Sequence, residues 1–363
     1  MTGIYIHIPF CKTKCPYCDF YSFKGDEKQK DSYLKAVLLC LEGYADKTLK
    51  IDTVYFGGGT PSVFGGERIG RIISYIRENF DLQENTEITV ECNPSSTDED
   101  FVRQVKRAGV NRISMGMQSA VDAERKMLGR PSDRKDIERA VNLFKNEGID
   151  NISLDLMLGV PFQTMESLDE SLDFMLSLSV KHISAYMLKI EEGTPFAEEK
   201  SLSLPDEDTV ADMYIHTSER LRERGYIHYE ISNFALEGFR SRHNTKYWQC
   251  EEYIGVGPSA HSFYKGKRFY YSRSFDDFLS GKAPISDGEG GSEEEYIMLA
   301  LRLREGLDGV KFREKYGKTL DKSIFDKAEK YKKAGLVRTE GDRIYLTYEG
   351  FLVSNSIISD LLY

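Results

Sequence analysis

The stretch YIHIPFCKTKCPYCDF, residues 5–20, decides how this chain is read. Its apolar start, within 4–8, reads as a strand that ends at Pro9. Cys11, Cys15 and Cys18 follow at the spacing C-x3-C-x2-C. Cysteine thiolates are the usual ligands of iron–sulfur clusters, and a cuboidal cluster has about four irons, so three local cysteines leave one iron open to a small molecule. A structural zinc would use Cys15 and Cys18 as one C-x2-C pair but needs a second pair, and Cys40, Cys92 and Cys250 stand alone.

Working outward, a short apolar run followed by a turn and an amphipathic helix recurs from residue 4 to about 232. Runs at 4–8, 53–56, 88–91, 112–117, 152–157 and 182–187 predict six parallel strands, with helices near 27–44, 66–79, 98–108, 133–147 and 166–178 between them. A seventh unit is expected from a helix near 206–224 and a run at 229–231. Continuous apolar strands alternating with helices imply right-handed crossovers and a sheet covered on its faces. The predicted fold is α/β, a parallel (β/α)6-type partial barrel, whose chemistry belongs at the strand C-terminal ends. Each expected strand end there carries unusual residues: the cysteine loop, Gly57-Gly58-Gly59-Thr60-Pro61, Glu91-Cys92-Asn93-Pro94, Gly116-Met117-Gln118, Asp155-Leu156-Met157 and Ser184-Ala185-Tyr186.

The barrel is expected over 1–232. An irregular extension rich in Gly, Ser and aromatic residues follows over 233–291, ending in a linker at 287–292. Over 292–363, helical spacing at 293–304 and 324–334, a hairpin about Gly341-Asp342 and a closing helix at 348–362 predict a winged-helix-like α+β module. The net charge of −10 and pI near 5.3 argue against a nucleic-acid binder. Six cysteines without a secretion signal point to a reducing compartment, the cytoplasm, with contact at a membrane surface left open.

An open iron needs a ligand with adjacent donors, which the amino and carboxylate groups of S-adenosylmethionine supply. The glycine run would let backbone approach such a ligand; the bland alternative is a tight turn with Thr60 as helix cap. Glu91 offers a carboxylate acceptor, or else a surface salt bridge, and Arg130 can pair with a carboxylate.

The cysteine loop with VYFGGGTPS resembles the radical S-adenosylmethionine superfamily. Adding ITVECNP, RISMGMQS, LGR, DLMLGVP, ISAYML and HNTKYW, the chain resembles the oxygen-independent coproporphyrinogen III oxidase-like group over nearly its whole length. Three features set it apart from the HemN-type oxidases and with the HemW-type heme chaperones: few residues before Cys11, Asp19-Phe20 after Cys18, and the His-Asn-x-x-Tyr-Trp signature. The resemblance implies a [4Fe-4S] cluster on Cys11, Cys15 and Cys18, with Tyr5, Gly58 and Glu91 beside its bound S-adenosylmethionine. Tyr17, Gly59, Thr60, Gln118, Arg130, Asp155 and Ala185 match positions that in HemN-type enzymes hold a second such molecule.

It further implies heme, heme-accepting client proteins and an electron donor such as flavodoxin or ferredoxin, and leaves a homodimer open. His243 becomes an expected axial ligand of heme, with Tyr247 and Trp248 to stack on the macrocycle, against the alternative of a structural histidine; His261 and Cys250 are further candidates. The rival function is oxidative decarboxylation of coproporphyrinogen III.

Overall fold

The first strand, β1 (Thr2–Ile8), shows how the sequence sorts itself. Ile4, Ile6 and Ile8 leave it on one side, wholly buried in the main core, and Tyr5 and His7 leave it on the other. The computed structural model describes residues 1–199 and 201–363. β1 is followed by β2 (Asp46–Gly58), β3 (Phe80–Cys92), β4 (Arg112–Gln118), β5 (Ile152–Leu158) and β6 (His182–Met187), which pair in parallel in that order.

The crossover helices start where local chemistry starts them. Asp26 with Gln29, Asp133 with Asp136 and Thr164 with Ser167 form capping boxes at Glu27–Glu42, Arg134–Asn146 and Met165–Ser177. The helices lie on the isoleucine side of the sheet, so the other side faces a lumen.

Beyond β6 the chain departs from the expected repeat. β7 (Ile227–Glu230) does run in the direction of β6, but β8 (Asn233–Ala235) folds back between them, antiparallel to both. Residues 233–291, expected to be irregular, are ordered. β9 (Tyr253–Val256) pairs in parallel with β1, and β10 (His261–Tyr264), β11 (Lys267–Tyr270) and β12 (Ile285–Glu289) extend the sheet as an antiparallel meander. The expected linker therefore overlaps the edge strand β12. These strands are short and mix aromatic with polar residues, so they carry no run long enough to announce them.

The result is one open sheet in the order β12-β11-β10-β9-β1-β2-β3-β4-β5-β6-β8-β7, curved into a partial barrel that does not close. A second sheet of β13 (Leu307–Asp308), β14 (Val337–Glu340) and β15 (Arg343–Leu346) has the order β13-β15-β14 and turns at Gly341. The closing helix is broken at Val353 into Tyr348–Leu352 and Ser354–Leu362. Among the described residues no helix is long and apolar enough to cross a membrane.

Candidate cofactor site at the barrel mouth

The cysteine loop is fastened at both ends. The Cys11 amide donates to the Phe23 carbonyl at 2.9 Å and the Phe23 amide to the Pro9 carbonyl at 2.9 Å, so the loop closes like a short ribbon. The glycine turn after β2 is laced to it. Gly59 N–H donates to Ile8 O at 2.8 Å and Thr60 N–H to Phe10 O at 2.8 Å. Any side chain at Gly59 would place its Cβ 2.7 Å from Ile8 O, and Gly58 has φ of 104°, where its Cβ would lie 2.5 Å from the His7 ring. Thr60 does not use its hydroxyl as a helix cap; Oγ1 lies 3.3 Å from Cys11 Sγ.

Cys11, Cys15, Cys18, Tyr17, Gly58, Gly59, Thr60, Glu91, Gln118, Arg130 and Asp155 all line one cavity, drawn together from six chain segments. Among the described residues no three His, Cys, Asp or Glu side chains converge as for a single metal ion. The thiols instead stand around a common space, the disposition a polynuclear cluster needs when each thiolate takes a different iron. A second cavity shares Tyr17, Cys18, Phe20, Glu91, Ser114, Asp155 and Tyr186 with the first and is walled further by Met157, Met187 and Lys189.

Glu91 is not a surface ion-pair member. Tyr55 Oη donates to its Oε1 at 2.8 Å and the Gly58 amide to Oε2 at 3.1 Å. Burial pushes its carboxyl up to about 7, opposed by the Tyr55 hydrogen bond and reinforced by Asp155. Asp155 is pushed up to about 6 by burial, opposed by Ser184 and by the charge of Arg130. Two carboxylates near neutrality at the edge of a cavity suit hydroxyl, ammonium or sulfonium groups, with the charge state set by what binds.

Three expected site residues lie elsewhere. Tyr5 sits below the cavity, where its hydroxyl meets His7 Nδ1 at 3.1 Å while His7 Nε2–H donates to Tyr21 O at 2.9 Å. Ala185 is paired with Leu156 and wholly buried, on the helix side of β6, and its amide donates to Ser232 O. Strand alternation hands the lumen to Ser184 and Tyr186 instead, and the Tyr186 hydroxyl donates to Gln118 Oε1 at 2.9 Å. Tyr186, Ser114 and Tyr55 were missed, although counting by two along β6, β4 and β2 would have found them.

His243, the expected axial ligand of heme, is the second residue of the helix Arg242–Trp248 at the floor of the barrel and is 1% exposed. Nδ1 lies 2.8 Å from Thr53 Oγ1 and Nε2 2.8 Å from the Tyr247 hydroxyl, so neither nitrogen is free. Burial, helped by Lys246 and Arg112, pushes the imidazole down to about 3. The helix is held by Ser241 as N-cap and by Glu87, whose carboxylate accepts from the amides of Arg242 and His243 at 3.0 Å each. Cys250 is buried, and His261 stands on β10 in the outer meander, stacked on Tyr270.

An open parallel barrel with a three-cysteine loop and a glycine turn at its mouth defines a radical S-adenosylmethionine fold. Residues 5–175 match the radical SAM superfamily, and residues 294–353 match the HemN C-terminal domain. The solved coproporphyrinogen III oxidase HemN of Escherichia coli superposes with a TM-score of 0.84 over 99% of this chain and 90% of its own, at 21% identity. A heme chaperone HemW of Bacillus subtilis (strain 168) is 34% identical, covering 100% of this chain and 99% of its own length. One of Lactococcus lactis subsp. lactis (strain IL1403) is 33% identical over 99% and 96%. The chain belongs to the HemW family.

Proposed function

We propose that this protein is a heme chaperone that carries a [4Fe-4S] cluster and S-adenosylmethionine at the barrel mouth and passes heme to client proteins. The observation that carries this reading is end-to-end relatedness to proteins named heme chaperone HemW, at 33–34% identity over nearly whole lengths. The likeness to HemN, at 21% identity, supports the fold alone.

Cys11, Cys15 and Cys18 hold the cluster. When bound, the cluster supplies an electron and an open iron for S-adenosylmethionine. Glu91 and Asp155 accept hydrogen bonds from the polar groups of that molecule, while Gly58 and Gly59 let it lie against backbone. Tyr17, Thr60, Gln118 and Arg130 complete the wall, and Tyr186 takes the place assigned to Ala185. In the adjoining cavity Phe20, Met157, Tyr186 and Met187 would pack against heme, and Lys189 would offer a cation to a propionate. The protein works in the cytoplasm with an electron donor of the flavodoxin or ferredoxin kind.

Anaerobic reconstitution followed by heme titration tests this. A saturable Soret shift near one heme per chain is expected, surviving His243→Gln and weakened by replacing Met157 and Met187 together. Conversion of coproporphyrinogen III with S-adenosylmethionine and reductant, without stable heme binding, would overturn it in favour of the oxidase.

A further inference from the structure

β2 joins the floor helix to the mouth carboxylate. Thr53, Tyr55 and Gly57 alternate onto one side of that strand, the side from which Tyr55 reaches Glu91. Tyr55 is paired in register with Thr89, so Glu91 stands two residues nearer the mouth, and the bond from the Tyr55 hydroxyl to Glu91 Oε1 at 2.8 Å runs diagonally between the strands. It crosses Gly57. A Cβ there would lie 2.8 Å from Tyr55 Cε1 and 2.9 Å from Glu91 Oε1, so a side chain and the bond cannot share the space. Gly57 lies outside the left-handed region that Gly58 occupies, so what it supplies is room.

The ring of Tyr55 is placed from the floor. His243 stacks on it with 5.2 Å between centroids and 27° between planes, and Tyr5, its register partner on β1, stands 6.1 Å from Tyr55 and 6.4 Å from His243. The imidazole is fixed in turn at both nitrogens, by Thr53 and Tyr247 at 2.8 Å each. A second glycine clears the space for that contact: a Cβ at Gly3 would lie 2.8 Å from Thr53 Oγ1 and 3.1 Å from His243 Cε1. An unbroken series of contacts therefore runs from Tyr247 through His243 and Tyr55 to Glu91. Glu91 lines both cavities, Tyr55 only the second and His243 neither, so the histidine can act on a bound molecule only through its neighbours.

We propose that Tyr55 and His243 are positioning residues of the mouth site: the histidine fixes the tyrosine ring, and the tyrosine hydroxyl fixes the face that Glu91 turns to its ligand. The inference rests on the reading that this mouth takes S-adenosylmethionine. An ionised carboxylate has about four acceptor positions. Tyr55 takes one on Oε1 and the Gly58 amide one on Oε2, which leaves a free lone pair on each oxygen for the cavity. Without the hydroxyl the carboxylate is free to turn, and a ligand meets the binding orientation in only a fraction of the molecules. The histidine of HNTKYW thus serves the cofactor that the cysteine loop holds, at a distance from it and without touching heme.

The test uses the full chain with Tyr55→Phe, His243→Gln and Glu91→Gln, singly and in pairs. After anaerobic reconstitution to equal iron content, S-adenosylmethionine affinity should fall about tenfold in Tyr55→Phe and about threefold in His243→Gln. Because each acts through the next, Tyr55→Phe should cost less than about twofold once Glu91 is Gln, and His243→Gln less than about twofold once Tyr55 is Phe. Infrared spectra without cluster or ligand, with Glu91→Gln to assign the band, should show the Glu91 carboxylate stretch displaced in both Tyr55→Phe and His243→Gln. Additive losses or an undisplaced band would overturn the proposal, as would a His243→Gln protein whose heme Soret shift changes while its S-adenosylmethionine affinity does not. If His243→Gln does not fold, Thr53→Val, which removes one of the two bonds of the imidazole, takes its place in every arm. Absence of S-adenosylmethionine binding by the wild type would instead sink the functional reading, and the infrared bands would then decide the positioning alone.

Discussion

Gly58 is where a single atom decides whether the mouth can form. An added methyl meets the His7 ring at 2.5 Å in a backbone conformation that side chains avoid, so Gly58→Ala should cost about 1–3 kcal/mol and lower the iron retained after reconstitution. Urea midpoints and iron assays check both. His243 predicts a different signature. Its native imidazole is pushed down to about 3, whereas in the unfolded chain it titrates near 6.5. As pH falls from about 6.5 toward 3 the unfolded chain takes up a proton that the folded one refuses, so stability is lost at up to about 1.4 kcal/mol per pH unit. Unfolding curves of His243→Gln should show a shallower acid limb, with a loss near neutrality of about 1–3 kcal/mol from the Thr53 and Tyr247 hydrogen bonds. At this scale the sequence displayed the cysteines and most of the cavity wall, because spacing and strand ends mark them. It hid Tyr55, whose hydroxyl donates to Glu91, since nothing local marks which strand residue meets a carboxylate on the next strand.

The floor helix Arg242–Trp248 is the element that the family signature obscured. In HNTKYW the histidine and tyrosine bond to each other, the histidine also bonds to Thr53 of β2, and Lys246 reaches Asp52 at 3.0 Å. Ser241→Ala should cost about 1 kcal/mol by removing the N-cap. Amide exchange should accelerate over 242–248 and leave β3 to β5 protected. The six parallel strands were legible because each is a continuous apolar run between caps. β8 to β12 were not, because they are very short strands, and β9, on which the outer meander builds, takes its partner from the far end of the chain, Tyr253 opposite Gly3, a pairing that leaves no local trace.

At the scale of the whole chain, the C-terminal module is joined to the barrel by continuous hydrogen bonding. Ile231 N–H donates to Arg302 O and Arg304 N–H to Tyr229 O; Arg302 lies over Trp248, and His228 stacks on Tyr348 at 5.2 Å. A chain ending at 291 should therefore expose this face and unfold at lower temperature or aggregate, which calorimetry and light scattering read; a monodisperse fragment of unchanged melting temperature would contradict the joint. β1 sits between β2 and β9, and Tyr21 and Asp19 of the cysteine loop are held by Phe275 and Arg273. During synthesis this places the beginning of the chain in the hands of its latter part. At roughly 5–20 residues per second, a ribosome takes about 12–50 s to supply β9 and the segment that grips the loop. Residues made early are thus locked late, and the thiols stay open to metal delivery until the chain has grown past Phe275.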